Sequence, residues 1–299
     1  MRILSIALTS LLLLAACSKP GKYDRLQQAL NEFTDGRDAD IGIAVIIDGK
    51  DTVAVNGNRD YPMLSVYKFP IAMALGEHYR QNGLPLDFPI AILPEDLHPD
   101  TYSPMTEKIL ASGEVFTDTL MMPAHEVLGY MIRQSDNNAS DIVLNGLTGP
   151  EYVERYLRHI GIDGVNVRNS EDDMHRDTSL CYANSTTPMA MARLIDKFDR
   201  EFNDSISLAI KGLMESCRTG TERLAKPLMP ANAVIGHKTG TGFLLPDGRL
   251  MAVNDAGYVH LANGHRYSIA VFVSNSGYDM DSTEALIAGI SEIVFKNIK

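Results

Sequence analysis

Long hydrophobic runs are almost missing from this 299-residue chain. Ile3 to Ala16 is the single exception, fourteen residues behind Arg2, and a helical bilayer span needs about twenty. The run therefore reads as a secretory signal over 1–16. Basic runs are also missing: net charge is -11, with no lysine or arginine tract and no aromatic-basic stripe, so phosphate-driven nucleic-acid binding has no footprint here. Eight histidines form no H-x-H or H-E-x-x-H cluster, which leaves a zinc hydrolase without a ligand set and no metal site to expect. Of three cysteines, Cys17 closes the signal run, and Cys181 and Cys217 are too few for a disulfide framework. Export permits a pair, but two cysteines in a large domain read as separate free thiols. No internal repeat is present. What remains is a globular composition, 45% apolar and 22% charged, long enough for one large domain or two.

Leu14-Ala15-Ala16-Cys17 resembles the bacterial lipobox. The resemblance implies lipid on Cys17, a tether over 17–22 and no membrane contact beyond that anchor, each buried CH₂ contributing about 0.8 kcal/mol. The ordinary alternative is a small residue in a signal. Beyond the tether, Tyr23, Leu26, Ala29, Leu30 and Phe33 recur at helical spacing, and Gly36 ends the run. "IGIAVIIDGKDTVAVN" from Ile41 to Asn56 is two β-rich runs around Asp-Gly, the strongest short hairpin signal. Ser65 to about Ser216 is dominated by helical patterns. Strand signals return at Ala233 to Gly242, Leu250 to Leu261 and Tyr267 to Ser276, before an amphipathic helix from Thr283 to Ile298. The simplest architecture is α/β: a five-stranded antiparallel sheet built from both chain ends (23–64 and 220–299), flanked by the terminal helices. An all-helical domain (65–219) is inserted between strands two and three, and a cleft between two such units is where ligands sit.

Three short motifs carry chemistry. "SVYKFP" places Ser65 and Lys68 three residues apart at the start of an apolar helical run. About one S-x-x-K pair occurs by chance in a chain this long, and a helix N-terminus with a solvent lysine would explain it. Yet i and i+3 share a helix face, and the helix end favours a developing oxyanion. Pro70 is awkward there, removing an early helical hydrogen bond and straining the second turn. "SDN", Ser135 to Asn137, is also good N-cap chemistry. "KTGTG", Lys238 to Gly242, could be a hairpin turn in which glycine only relieves crowding.

In that order, the three motifs resemble those of the penicillin-recognising serine enzymes, class A β-lactamases and penicillin-binding proteins. Class A members carry a glutamate on an omega-shaped loop, and "SEDDMHRD" puts Glu171 36 residues after Ser135, the family interval; Asp172 and Asp173 read as solvated surface. The resemblance implies Ser65 as nucleophile, with Lys68, or Glu171 through a water, as acylation base. Glu171 is implied as deacylation base and Ser135 as proton donor to the leaving nitrogen. Lys238 and Thr239 would hold the substrate carboxylate, with Gly240 in the same motif. Asn137 would bind the side-chain amide, and the oxyanion would lie between the N–H groups of Ser65 and Thr241. In "TYSPM" Tyr102 resembles the tyrosine walling the entrance; in "TGTER" Arg223 resembles the arginine supporting Lys238. The implied partner is a small β-lactam, taken by a monomer without cofactor.

Three positions depart from the family pattern. His175 stands where asparagine usually helps hold the hydrolytic water, and its ring could donate or accept instead. Asn169 and Asn184 replace the arginine and aspartate that close the loop as an ion pair. Ser65 and Ser135 lie about ten residues further apart than usual, implying an insertion. These mark a divergent branch that includes cephalosporin-hydrolysing members. A wall-peptide DD-peptidase would share the three motifs but gives no reason for Glu171. A catalytically dead wall-binding lipoprotein would usually lack the serine or a lysine.

Overall fold

The computed structural model describes residues 21–111 and 118–298; the signal 1–16 and Cys17 lie outside them. Among the described residues nine strands form three sheets: β1 (Asp40–Ile47), β2 (Asp51–Val55), β3 (Tyr61–Pro62), β4 (Pro89–Ile92), β5 (Leu120–Pro123), β6 (Ser185–Thr186), β7 (Val234–Thr241), β8 (Leu250–His260) and β9 (Arg266–Ser276). The main sheet runs β2-β1-β9-β8-β7, antiparallel throughout, as the sequence predicts. Its Asp-Gly signal is realised literally. Asp48 and Gly49 take φ of 53° and 67°, the paired positive angles of a type I′ turn, closed by Lys50 N–H donating to Ile47 O at 3.0 Å.

Period-two alternation sends Ile43, Val45, Ile269 and Val271 to one face and Ala44, Ile46, Ala270 and Phe272 to the other. Terminal helices α1 (Asp24–Thr34) and α10 (Met280–Ile298) cover the first face through Leu26, Leu30, Ile287 and Ile290. The other face is covered from within the helical segment, whose helices are α2 (Lys68–Gln81), α3 (Pro104–Leu110), α4 (Ala124–Leu128), α5 (Asn137–Gly146), α6 (Pro150–His159), α7 (Glu171–Arg176), α8 (Pro188–Glu201) and α9 (Ser205–Glu215). Here α8 lays Met191, Leu194, Ile195 and Phe198 on the sheet. Each fully buried side chain of this kind contributes about 1.5–3 kcal/mol. With both faces covered, the strands read as near-continuous apolar runs.

The segment is not purely helical. β3 pairs with β6 and β4 with β5, ladders of two and four residues that are too short to show a period. The core is also continuous from the sheet face into the helices, so the cleft is a seam in one packed body. Cys181 and Cys217 are free thiols, as expected.

Candidate active site

Ser65 lies on a 3-10 turn, Leu64–Tyr67, that feeds α2 at Lys68. This differs from the expectation of a serine in the first α-turn, and it resolves the Pro70 problem. Pro70 is only the third α-helical residue, inside the first turn, where a proline disturbs a helix least. Leu64 enters the turn at φ 47°, a strained value for a branched side chain and one that recurs at functional sites. Asn254 of β8 holds the approach by donating to Pro62 O (2.8 Å) and Met63 O (3.1 Å).

Lys68 is fully buried. Its ammonium donates to Ser135 O (2.8 Å) and Asn137 Oδ1 (2.6 Å) and forms an ion pair with Glu171 Oε1 at 3.0 Å, a buried oxygen with no hydrogen-bond partner of its own among the described residues. Ser135 is itself strained, at φ 62°. The aspartate between it and Asn137 explains how that conformation is held. Buried Asp136 caps α5 through Ala139 N–H (2.9 Å) and accepts from Ser103 Oγ (2.8 Å) and Met105 N–H (2.7 Å), stapling α3 to α5. Asn137 completes the joint, donating from Nδ2 to Thr101 Oγ1 (2.8 Å) and from its main chain to Tyr102 O (3.0 Å).

Edge strand β7 brings the third motif. A Cβ on Gly240 would sit 2.5 Å from Met63 O and 3.3 Å from Ser65 N, so glycine is required for the strand to lie against the nucleophile turn. Lys238, fully buried, donates to Ser135 Oγ (2.8 Å) and Thr239 O (2.9 Å). Burial pushes its ammonium down to about 7, with Lys68 adding to the fall and Cys217 opposing it. Arg223 lies behind Thr241, which lines the cleft. Nearly buried beneath the strand, it pairs with Glu284 (2.9 Å) and donates to Gly240 O (3.1 Å), Asn254 O (2.9 Å) and Thr241 Oγ1 (2.7 Å). It braces β7 from behind.

Glu171 opens α7, capped by Ser170, whose Oγ accepts from Asp173 N–H at 3.1 Å. Asp173 thus serves the capping box, and Asp172 pairs with Arg176 at 2.7 Å. Sequence reasoning missed Asp141. Its two carboxylate oxygens accept from Glu171 N–H and Asp172 N–H, each at 2.8 Å, so α5 grips the first turn of α7. Burial pushes this carboxyl up to about 7, the two N–H bonds opposing and the Glu171 charge adding. Its spacing, i+4 from Asn137 on one helix, is the signal that would have found it. Tyr67, also missed, is buried with its hydroxyl accepting from Ser140 Oγ (3.4 Å), and burial, with the Glu171 charge adding, holds its phenol well above the usual value.

These elements surround a cleft of about 450 Å³ lined by Ser65, Ser135, Asn137, Glu171, His175, Thr239 and Thr241, with Tyr102 at its rim, 57% exposed. Thr101, Thr219 and Phe243 line it too, without having been singled out. Lys68 and Lys238 lie beneath its floor. Among the described residues no group of three His, Cys, Asp or Glu converges to hold a metal, and no helix is long and apolar enough to cross a membrane.

Comparison with known proteins bears on this geometry. The model of the β-lactamase enzyme family matches residues 24–298. The chain belongs to that family. A β-lactamase of Bacteroides uniformis is 35% identical over 292 residues, 96% of each chain, and β-lactamase VEB-1 of Pseudomonas aeruginosa is 32% identical over 91% of this chain and 90% of its own. A class A β-lactamase structure from Bacteroides cellulosilyticus superposes with TM-score 0.86 at 30% identity, covering 94% of this chain and 99% of the other.

Within a class A β-lactamase, the loop carrying Glu171 is closed here by amides. Asn184, fully buried, accepts from Arg168 N–H (2.7 Å) and Asn169 N–H (3.0 Å) and donates to Asn169 O (2.9 Å); Asn169 Nδ2 donates to Leu180 O (3.1 Å). Neutral donors and acceptors satisfy what an ion pair would have held, without the cost of burying two charges.

Proposed function

We propose that Ser65 attacks the carbonyl of a penicillin or cephalosporin and that the β-lactamase completes hydrolysis through a covalent acyl-enzyme, giving its host resistance. The single observation that carries the assignment is the Glu171 carboxylate held 3.0 Å from the Lys68 ammonium in the cleft that Ser65 lines. Proton removal from Ser65 falls to Lys68, or to Glu171 through a water. The ion pair makes the two ends of one proton path, so either start leaves the same charge in the cleft.

The oxyanion is received by the N–H groups of Ser65 and Thr241, brought side by side by the bare Gly240, each donor being worth roughly 3 kcal/mol in comparable sites. Ser135, its oxygen fixed by Lys238, protonates the departing nitrogen. Lys238 and Thr239 hold the carboxylate, Asn137 the side-chain amide, and Tyr102 walls the entrance. Arg223 supports this set by bracing Gly240 and Thr241. Glu171 then activates the hydrolytic water, with His175, on the same cleft wall, helping to hold it. We further propose that the enzyme is exported and works as a monomer anchored through a lipid on Cys17.

Steady-state hydrolysis of a small penicillin and cephalosporin panel tests the activity, and Glu171→Ala tests the roles. That variant should acylate once and stall, with turnover down by about 10²–10⁴ and a persistent mass increment. Full turnover by Glu171→Ala would refute the deacylation role. An acyl adduct lasting hours on the unaltered enzyme would favour the DD-peptidase reading.

A further inference from the structure

Beside the carboxylate-holding end of β7 lies a second cluster of reactive side chains that the proposed reaction does not use. His237 directly precedes Lys238, so strand alternation turns its ring to the face opposite the Lys238 ammonium. There Nδ1 bonds the carboxylate of Asp255 at 2.9 and 3.1 Å, a fully buried anion on β8. Cys217, just past the end of α9, faces the same imidazole. Its sulfur also lies 3.4 Å from Thr219 Oγ1, and Thr219 Oγ1 shares a 2.5 Å hydrogen bond with Thr239 Oγ1.

The cluster has the chemistry of an activated thiol. Burial alone would raise the Cys217 thiol, but His237, with Lys238 beyond, brings it down to about 7. Burial opposes a charged His237 as well, and Asp255 overcomes it, lifting the imidazole to about 10. Cys181 provides the internal contrast: it lines the cleft, yet burial, with the Glu171 charge adding, pushes its thiol up to about 11.

We propose that Cys217 is a modification site for small disulfides and that its modification is transmitted through Thr219 to Thr239. The thiolate attacks one sulfur of the disulfide, whose S–S bond breaks. A mixed disulfide forms on Sγ, and the other half leaves as a thiolate that takes up a proton from solvent; a dithiol reverses the exchange. Cys217 is half-buried, which restricts the reagent to slim chains. The adduct fills the space against Thr219 and draws its hydroxyl from Thr239, loosening the grip on the substrate carboxylate. Only this transmission rests on the proposed function.

The test treats the full-length protein with hydroxyethyl disulfide at neutral pH, maps the adduct by peptide mass, and follows kcat/KM for a cephalosporin. Of Cys181 and Cys217, the latter should be labelled. Its labelling should lower kcat/KM roughly tenfold, the loss of one charge-assisted hydrogen bond, and dithiothreitol should restore it. Cys217→Ser should keep its activity under the reagent, and Cys181→Ser should remain sensitive. Labelling of Cys181 in place of Cys217, or a stoichiometric Cys217 adduct with unchanged kcat/KM, would overturn the proposal. Absence of turnover in the untreated protein would refute the proposed function and leave the labelling result to decide this site.

Discussion

Replacing Asn184 by leucine probes the amide latch that holds Glu171 in place. The number and branching of side-chain heavy atoms are kept, but three hydrogen bonds to the main chain of Arg168 and Asn169 disappear. Those main-chain groups sit at the half-buried base of the loop, so rehydration offsets part of the loss, and about 1 kcal/mol for each bond is the appropriate scale. The total, about 3 kcal/mol, is a large share of the 5–15 kcal/mol that keeps a domain folded. It should surface in two places. Urea unfolding should show an earlier midpoint at unchanged slope, and where the loop opens locally instead, deacylation should slow by up to about a hundredfold. Acylation should suffer less, because Ser65, Lys68, Ser135 and Lys238 stand on other elements. A rapid-mixing burst with a chromogenic cephalosporin separates the two steps. A variant whose stability stays within about 0.5 kcal/mol of the parent and whose deacylation rate is unchanged would refute the reasoning.

Two further outcomes follow from the buried carboxyl and from the N-terminal cysteine. Asp141 is raised from 3.8 to about 7 in the folded chain, so the native state binds a proton that the unfolded state releases. Its contribution is full below pH 3.8 and is lost as pH rises to about 7, with a slope of at most about 1.4 kcal/mol per pH unit. Glu171, Lys68 and Tyr67 face the same cluster. Asp141→Asn should flatten that slope, so unfolding midpoints compared at mildly acidic and mildly alkaline pH should show the variant gaining on the parent as pH rises; a gap that stays constant or widens the other way contradicts the assignment. If Cys17 carries lipid, the protein should enter the detergent phase on phase partitioning, and Cys17→Ala should move it to the aqueous phase.

The five-stranded sheet and the reacting groups were legible because each leaves a local mark. An Asp-Gly turn between apolar runs, a serine and lysine one helical turn apart, and a glycine needed where two backbones touch are all written within a few residues. What the sequence did not disclose is support supplied from afar. Asp255 sits eighteen positions past His237 and Thr219 twenty before Thr239, and neither belongs to a pattern with a period; Asp141, thirty before Glu171, is marked only by its i+4 spacing from Asn137. The motif around Arg223 likewise identified the residue but not its partners, Glu284 and the carbonyls of Gly240 and Asn254. These supports are also the parts under the loosest chemical constraint. A reacting group must be a particular residue, whereas a brace need only match donors to acceptors. Two asparagines can therefore close the loop here, and a thiol, an imidazole and a carboxylate can pack behind Lys238, while Ser65, Lys68, Ser135, Glu171 and Lys238 still converge on one cleft. Divergence in this branch should accordingly accumulate one layer behind the cleft, where it alters loop stability and thiol reactivity before it alters the reaction.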